Sequence, residues 1–172
     1  MSRSVTEPIK LRPHHFLCVL GFQGKGYSPA FVKNFRRVIE RLGMEHARVE
    51  AAAGADDVCA PCPNNDAGTC RPGGESDEPR IRALDVAYER TLDLRPRETM
   101  TWADARRMIA AKVSDEAFER NCAPCSWKQL GYCKSALQKL RGEHAGILPV
   151  FAVFLAAALW TAPASADESK NG

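Results

Sequence analysis

The sequence predicts a mainly α-helical domain, with short helices joined by two irregular cysteine-bearing loops and at most one short strand pair. Three observations predict it. Apolar residues recur at helical spacing in several capped segments, the cysteines are confined to loops rich in Pro, Gly, Asn and Asp, and the composition is that of an ordinary globular chain. With 172 residues, 45% hydrophobic and 26% charged, there is material for one domain and a modest core.

The elements follow in order along the chain. Residues 1–10 are expected to be flexible, because Met1 to Glu7 are mostly polar. A cysteine-rich domain is expected over 11–144. It opens with Leu11 to His14, where Pro13 suits a first helical turn because its missing N–H is not needed there. Phe16, Leu17, Val19 and Leu20 then give a short buried helix ending near Gly21, and Gly21, Gly24 and Gly26 punctuate a loop through Lys25 and Tyr27. Ser28 followed by Pro29 reads as an N-cap with proline at the first helical position, and Phe31, Val32, Phe35, Val38, Ile39 and Leu42 form the clearest amphipathic stripe.

After Gly43, Ala47 to Ala51 reads as a short strand. A second amphipathic helix is expected over Glu78 to Leu92, with Ile81, Leu84, Ala87, Tyr88 and Leu92 on one face. Thr101 and Asp104 have the spacing of a capping arrangement, and they start a third helix with Trp102, Ala105, Met108 and Ile109 inward. Ser114 caps a short fourth helix bearing Phe118, and Lys134 to Arg141 makes a last one.

Residues 145–172 change character. Every residue from Ile147 to Trp160 is apolar or proline, and Ala164-Ser165-Ala166 follows. Three readings stand side by side: a tail anchor giving weak membrane association through 147–166, an apolar helix packed on the core, and an appended segment with a pattern like a cleavage site. A span takes about 20 predominantly apolar residues, which this stretch reaches only by including Pro149, Thr161, Pro163 and Ser165.

Six of the seven cysteines form two copies of one template. Cys59-Ala60-Pro61-Cys62 with Gly68 and Cys70 returns as Cys122-Ala123-Pro124-Cys125 with Gly131 and Cys133. Thiolates bind soft or borderline metals, and a Cys-x-x-Cys turn brings two sulfurs to one centre. Three sulfurs do not complete a four-ligand site. Cys18 can complete one copy, and either His14 or His15, four and three positions before it, can serve the other. Pairing the two Cys-x-x-Cys units with each other is an equally legal partition. The bland alternative is that Cys18 is a small buried hydrophobe and that a histidine merely caps a helix. His46 and His144 read as surface residues.

The odd cysteine count, and Met1 to Lys10 having nothing like a secretory leader, point to reduced thiols and a cytoplasmic location. Twenty-four basic against 21 acidic side chains leave +3, too balanced to imply a nucleic-acid partner. The glycine loop Gly21 to Ser28, with a helix starting directly after it, invites a phosphate-binding reading, but it is not a Walker sequence, since Lys25 precedes Gly26 and Tyr27 rather than Ser or Thr, and a structural turn is the favoured role. No paired carboxylates or Ser-His-Asp arrangement marks an enzyme. A thiol-disulfide oxidoreductase is disfavoured, because a redox dithiol does not require a third cysteine at matched spacing.

Leu11-Arg12-Pro13-His14-His15-Phe16-Leu17-Cys18, Gly21 to Pro29 with Phe31, Val32 and Asn34, Asp56-Asp57-Val58-Cys59, and the block Cys122 to Cys133 together resemble a family of small bacterial and archaeal proteins, domain of unknown function 1284. The resemblance spans about Leu11 to Leu140. It implies iron-sulfur binding, with His14, His15, Cys18, Cys59, Cys62, Cys70, Cys122, Cys125 and Cys133 at the recurring positions. The expectation is therefore an iron-sulfur protein in electron transfer or redox sensing, serving a redox or protein partner. The alternative is a structural zinc protein acting as an interaction module.

Overall fold

The computed structural model describes residues 7–145. Residues 1–6 of the expected flexible segment 1–10, and the apolar tail from Gly146 onward with its anchor reading, lie outside them. The described residues are mainly helical, with six α-helices around a small sheet.

Three strands make that sheet: β1 (Ile9–Leu11), β2 (Arg48–Ala51) and, later in the chain, a third over Thr99–Thr101. β1 runs parallel to β2, with Ile9 opposite Val49 and Leu11 opposite Ala51, and the third strand lies antiparallel on the other side of β2. Ile9, Leu11, Val49 and Ala51 all point into the core, as period-two alternation requires. The mainly helical fold is as expected, and its strand content is this three-stranded sheet and a short hairpin, with Ile9 and Lys10 of the segment 1–10 forming part of the first strand. Three-residue strands are too short for alternation to show in sequence. Their pairing is set by partners 40 or more residues away.

The parallel pairing of β1 and β2 requires a crossover, which is supplied by α1 (His15–Cys18) and α2 (Pro29–Leu42). Ser28 Oγ accepts from Phe31 N at 3.1 Å, Pro29 occupies the first turn, and Phe31, Phe35, Val38 and Leu42 are buried. The first cysteine template follows β2 and contains the hairpin β3 (Asn65–Asp66) and β4 (Thr69–Cys70). The third sheet strand, Thr99–Thr101, is β5 in chain order.

α3 (Glu78–Leu92), α4 (Trp102–Lys112), α5 (Asp115–Asn121) and α6 (Tyr132–Ala145) complete the domain. Thr101 Oγ1 accepts from Asp104 N and Ser114 Oγ from Ala117 N, each at 3.1 Å, so both expected caps form. α6 is longer than the expected Lys134 to Arg141, because it starts directly after Gly131, which sits at φ +73°. Among the described residues no helix is long and apolar enough to cross a membrane.

α4 lies at the centre, packed on α1, α3 and α6 and on the sheet. Ala105, Ile109, Leu137 and Phe16 are fully enclosed there, and burying a side chain of Ile or Leu size stabilises by about 1.5–3 kcal/mol. Gly21 sets how closely the end of α1 approaches α6: a Cβ on it would lie 2.7 Å from Cys133 Cα and 2.8 Å from Cys133 N. Backbone atoms cannot swing aside. Gly21→Ala is therefore expected to lower stability by about 1–3 kcal/mol, read as a fall in the urea midpoint, whereas Gly142→Ala, with open space around it, should be neutral or slightly stabilising.

Candidate metal centre

The two cysteine templates begin with the same backbone. Cys62 N donates to Cys59 O at 2.9 Å and Asn65 N to Cys62 O at 3.0 Å; in the second copy Cys125 N donates to Cys122 O at 3.0 Å and Lys128 N to Cys125 O at 3.1 Å. Two successive turns thus hold each Cys-x-x-Cys pair. Both glycines before the closing cysteine have positive φ, +93° at Gly68 and +73° at Gly131, a region in which a Cβ is strained.

After the turns the copies diverge. In the first, Ala67 and Gly68 form the tip of the β3–β4 hairpin and Cys70 lies on its returning strand, opposite Asn65. In the second, a 3₁₀ turn over Lys128–Leu130 and the reversal at Gly131 place Cys133 in the first turn of α6.

All seven cysteines are free thiols, and none is exposed. Cys18, Cys122, Cys125 and Cys133 line one cavity of about 130 Å³, together with His14 and His15. The thiols of Cys18 and Cys133 are hydrogen bonded to each other, which raises the first and lowers the second: Cys18 S–H donates to Cys133 sulfur. The Tyr88 hydroxyl lies 3.0 Å from Cys122 Sγ, and burial pushes the Cys122 thiol up to about 11. The Cys18 and Cys122 thiols are thus held protonated at neutral pH unless a cation offsets their charge.

Cys59 belongs elsewhere. Its sulfur and the ligand atoms of His15 and Asp56 lie within 4.8 Å of one another. Cys62 and Cys70 do not line the cavity; they are electrostatic neighbours of each other and of the Tyr27 hydroxyl.

Behind the histidines is a buried polar network that reading the residue pattern did not assign to the site. His14 Nδ1 lies 2.6 Å from Asp85 Oδ1, and His15 Nδ1 lies 2.7 Å from Asp56 Oδ2. Arg12 Nε donates to Asp85 Oδ2 at 2.8 Å and an Arg12 terminal nitrogen to Glu78 Oε1 at 2.6 Å, while Glu78 Oε2 accepts from Cys70 N at 2.9 Å. Asp56 also accepts from the backbone N–H of Arg12, Val58 and Cys59. Burial works to raise the Asp56 carboxyl, but His15 and these donors hold it down to about 2. A carboxylate is an acceptor only, so both Nδ1 atoms carry a proton. One signal was readable: Asp85 stands inside the apolar stripe of α3, between Leu84 and Tyr88.

The basic residues near the templates are mostly partnered with acids. Lys128 and Lys134 both pair with Glu119, and Arg71 with Asp66. His46 is exposed beside Glu45.

A protein-family model, described as protein of unknown function (DUF1284), matches residues 26–131, well over half of the chain. The chain belongs to this family. The matched span is shorter than the resemblance from Leu11 to Leu140. It takes in Cys59, Cys62, Cys70, Cys122 and Cys125, but stops short of Cys18 and Cys133 on either side. No curated protein and no solved structure matches the chain.

The imidazole network has a pH consequence. Burial, then the neighbouring His15, holds His14 down to about 4 against the pull of Asp85, while an unfolded imidazole titrates near ~6.5. Between those values the unfolded chain binds more protons. Stability is therefore full above about pH 6.5 and falls as the pH drops toward 4, by up to about 3 kcal/mol. Urea unfolding of the metal-stripped chain from pH 7.5 to 4.5 should show this slope, and His14→Gln should flatten it.

Proposed function

We propose that this member of the DUF1284 family holds an iron-sulfur cluster between Cys18, Cys122, Cys125 and Cys133 and works in electron transfer or redox sensing. The observation that carries the reading is the convergence of four thiols on one cavity of about 130 Å³, from α1, the turn after α5 and the start of α6.

Four thiols around one cavity suit a cluster, because several irons and sulfides lie between its ligand sulfurs, whereas a single zinc ion holds each thiolate at about 2.3 Å.

When bound, such a cluster supplies a one-electron couple. The chain's own residues do the rest: Cys18, Cys122, Cys125 and Cys133 would hold it, Gly21 keeps α1 against Cys133, and Phe118 lines the cavity. Tyr88, 1% exposed, aims its hydroxyl at Cys122 sulfur, where an O–H donor favours the more negatively charged state. This assigns Tyr88 a tuning role.

Protein purified without oxygen should be brown and contain iron with acid-labile sulfide, and Cys133→Ser should lose both; a colourless preparation that carries zinc alone would overturn the reading. Tyr88→Phe should keep its cluster and shift the potential more negative by about 40 mV, the equivalent of ~1 kcal/mol for one electron. Redox titration followed by electron paramagnetic resonance reads this directly.

A further inference from the structure

We infer that Cys18 and Cys133 form a reversible disulfide site: in the chain without a cluster, a hydroperoxide converts these two thiols to a bond that joins α1 to α6. The bond itself does not depend on the cluster reading. Its consequence, a closed cluster site, does.

Backbone contacts bring the two cysteines together. Gly21 N donates to Cys18 O at 3.2 Å, so Gly21 ends the turn that carries Cys18. The same glycine packs directly on Cys133: a Cβ built on it would lie 2.7 Å from Cys133 Cα, 2.8 Å from Cys133 N and 3.0 Å from Cys133 Sγ. The start of α6 is fixed as well, because Gly131 reverses the chain at φ +73° and Cys133 follows in the first turn. Both thiols line the same cavity, and they are hydrogen bonded to each other. A disulfide forms only where the two Cα atoms lie within about 7 Å and the side chains face each other. Sulfurs in hydrogen-bond contact meet the second condition, and the backbone contact through Gly21 serves the first. Cys122 and Cys125 share a turn, but the Cys122 sulfur is engaged by the Tyr88 hydroxyl at 3.0 Å.

The cavity also admits the oxidant. Its lining runs from Cys18 and Cys133 out to Lys25, Tyr27 and Leu130, which are exposed, so it opens to solvent. Hydrogen peroxide is little larger than water and can follow that route.

The chemistry balances with that one co-reactant. One sulfur, as thiolate, attacks the peroxide: an S–O bond forms, the O–O bond breaks, and the departing hydroxide takes a proton to become water, leaving a sulfenic acid. The second thiol attacks that sulfur, so the S–S bond forms, the S–O bond breaks and a second water leaves. Two electrons have passed from sulfur to oxygen. A dithiol reductant reverses the step by exchange and ends as its own disulfide. While the bond lasts, two of the sulfurs around the cavity are withheld from iron, so exposure to peroxide is recorded as a closed cluster site.

The test uses the full chain, stripped of metal and reduced, then freed of reductant and treated with one equivalent of hydrogen peroxide. Two of the seven thiols should disappear, and mass spectrometry of a non-reduced digest should find the Cys18 peptide joined to the Cys133 peptide as the main product. Cys18→Ser and Cys133→Ser should each lack that product. The oxidised chain should take up no iron and sulfide until a dithiol is added, and then recover. A main product linking Cys59 to Cys62 or Cys122 to Cys125, or Cys18 and Cys133 still free after treatment, would overturn the inference. If the serine variants fail to fold, the mapping on the wild-type chain still decides. A chain that forms the bond yet takes up no iron when reduced sinks the cluster reading and leaves the bond standing.

Discussion

The arrangement depends on one buried ion pair. Arg12, 2% exposed, donates to Asp85, 0% exposed, and this bond joins the segment before α1 to the middle of α3. Taking two charges out of water costs several kcal/mol per ion, and the mutual attraction offsets that only when the remaining hydrogen-bond capacity is filled. Here it is filled: Asp85 also accepts from His14, Arg12 also donates to Glu78, and Glu78 also accepts from Cys70 N. No buried polar side-chain atom among the described residues lacks a partner. An apolar replacement of equal volume would pack as well. It would not carry three directional bonds that orient an imidazole and a hairpin at once, so the network contributes geometry more than stability.

That geometry explains why α1 can be so short. Four residues do not make a stable helix on their own. α1 has no side-chain cap, and its end is closed by backbone bonds such as Val19 N to His15 O at 3.1 Å. Its position comes from Phe16 and Leu17, which are fully buried, from the two carboxylates behind His14 and His15, and from the absence of a side chain at Gly21. The thiol of Cys18 is consequently aimed by contacts distant in sequence.

How much of this was legible in the sequence follows from the range of each interaction. α2 could be read to the residue, because Ser28, Pro29 and an apolar stripe at helical spacing are all local signals. The caps at Thr101 and Ser114 were equally local. β1 and β5 were missed because three residues carry no periodicity and their stability comes from pairing across 40 or more residues. For the site, the repeated spacing exposed the shared turn in both copies, and the positive φ at Gly68 and Gly131 was implied by the glycines themselves. Which thiols would meet was not legible. Cys18 pairs with Cys133 across 115 positions, and nothing local to either specifies that. Asp85 was readable as an acid in an apolar stripe, but its partners Arg12 and His14 lie more than 70 positions away.

The duplication invites the assumption of two equal centres, and the exits from the shared turn argue against it. After Cys62 the chain has Pro63, two asparagines and Asp66 before Ala67 and Gly68, residues that favour a tight hairpin and make poor helix interiors. After Cys125 it has Trp127, Lys128, Gln129 and Leu130, which accommodate helical turns, and Gly131 then releases the chain into α6. The third sulfur is therefore presented from a strand in one copy and from a helix in the other. A hairpin draws its cysteine back toward the turn it left. A helix carries its cysteine away, across to Cys18 and the cavity wall. One sequence template, followed by residues of opposite conformational preference, is thus sufficient to present its closing thiol in two different settings.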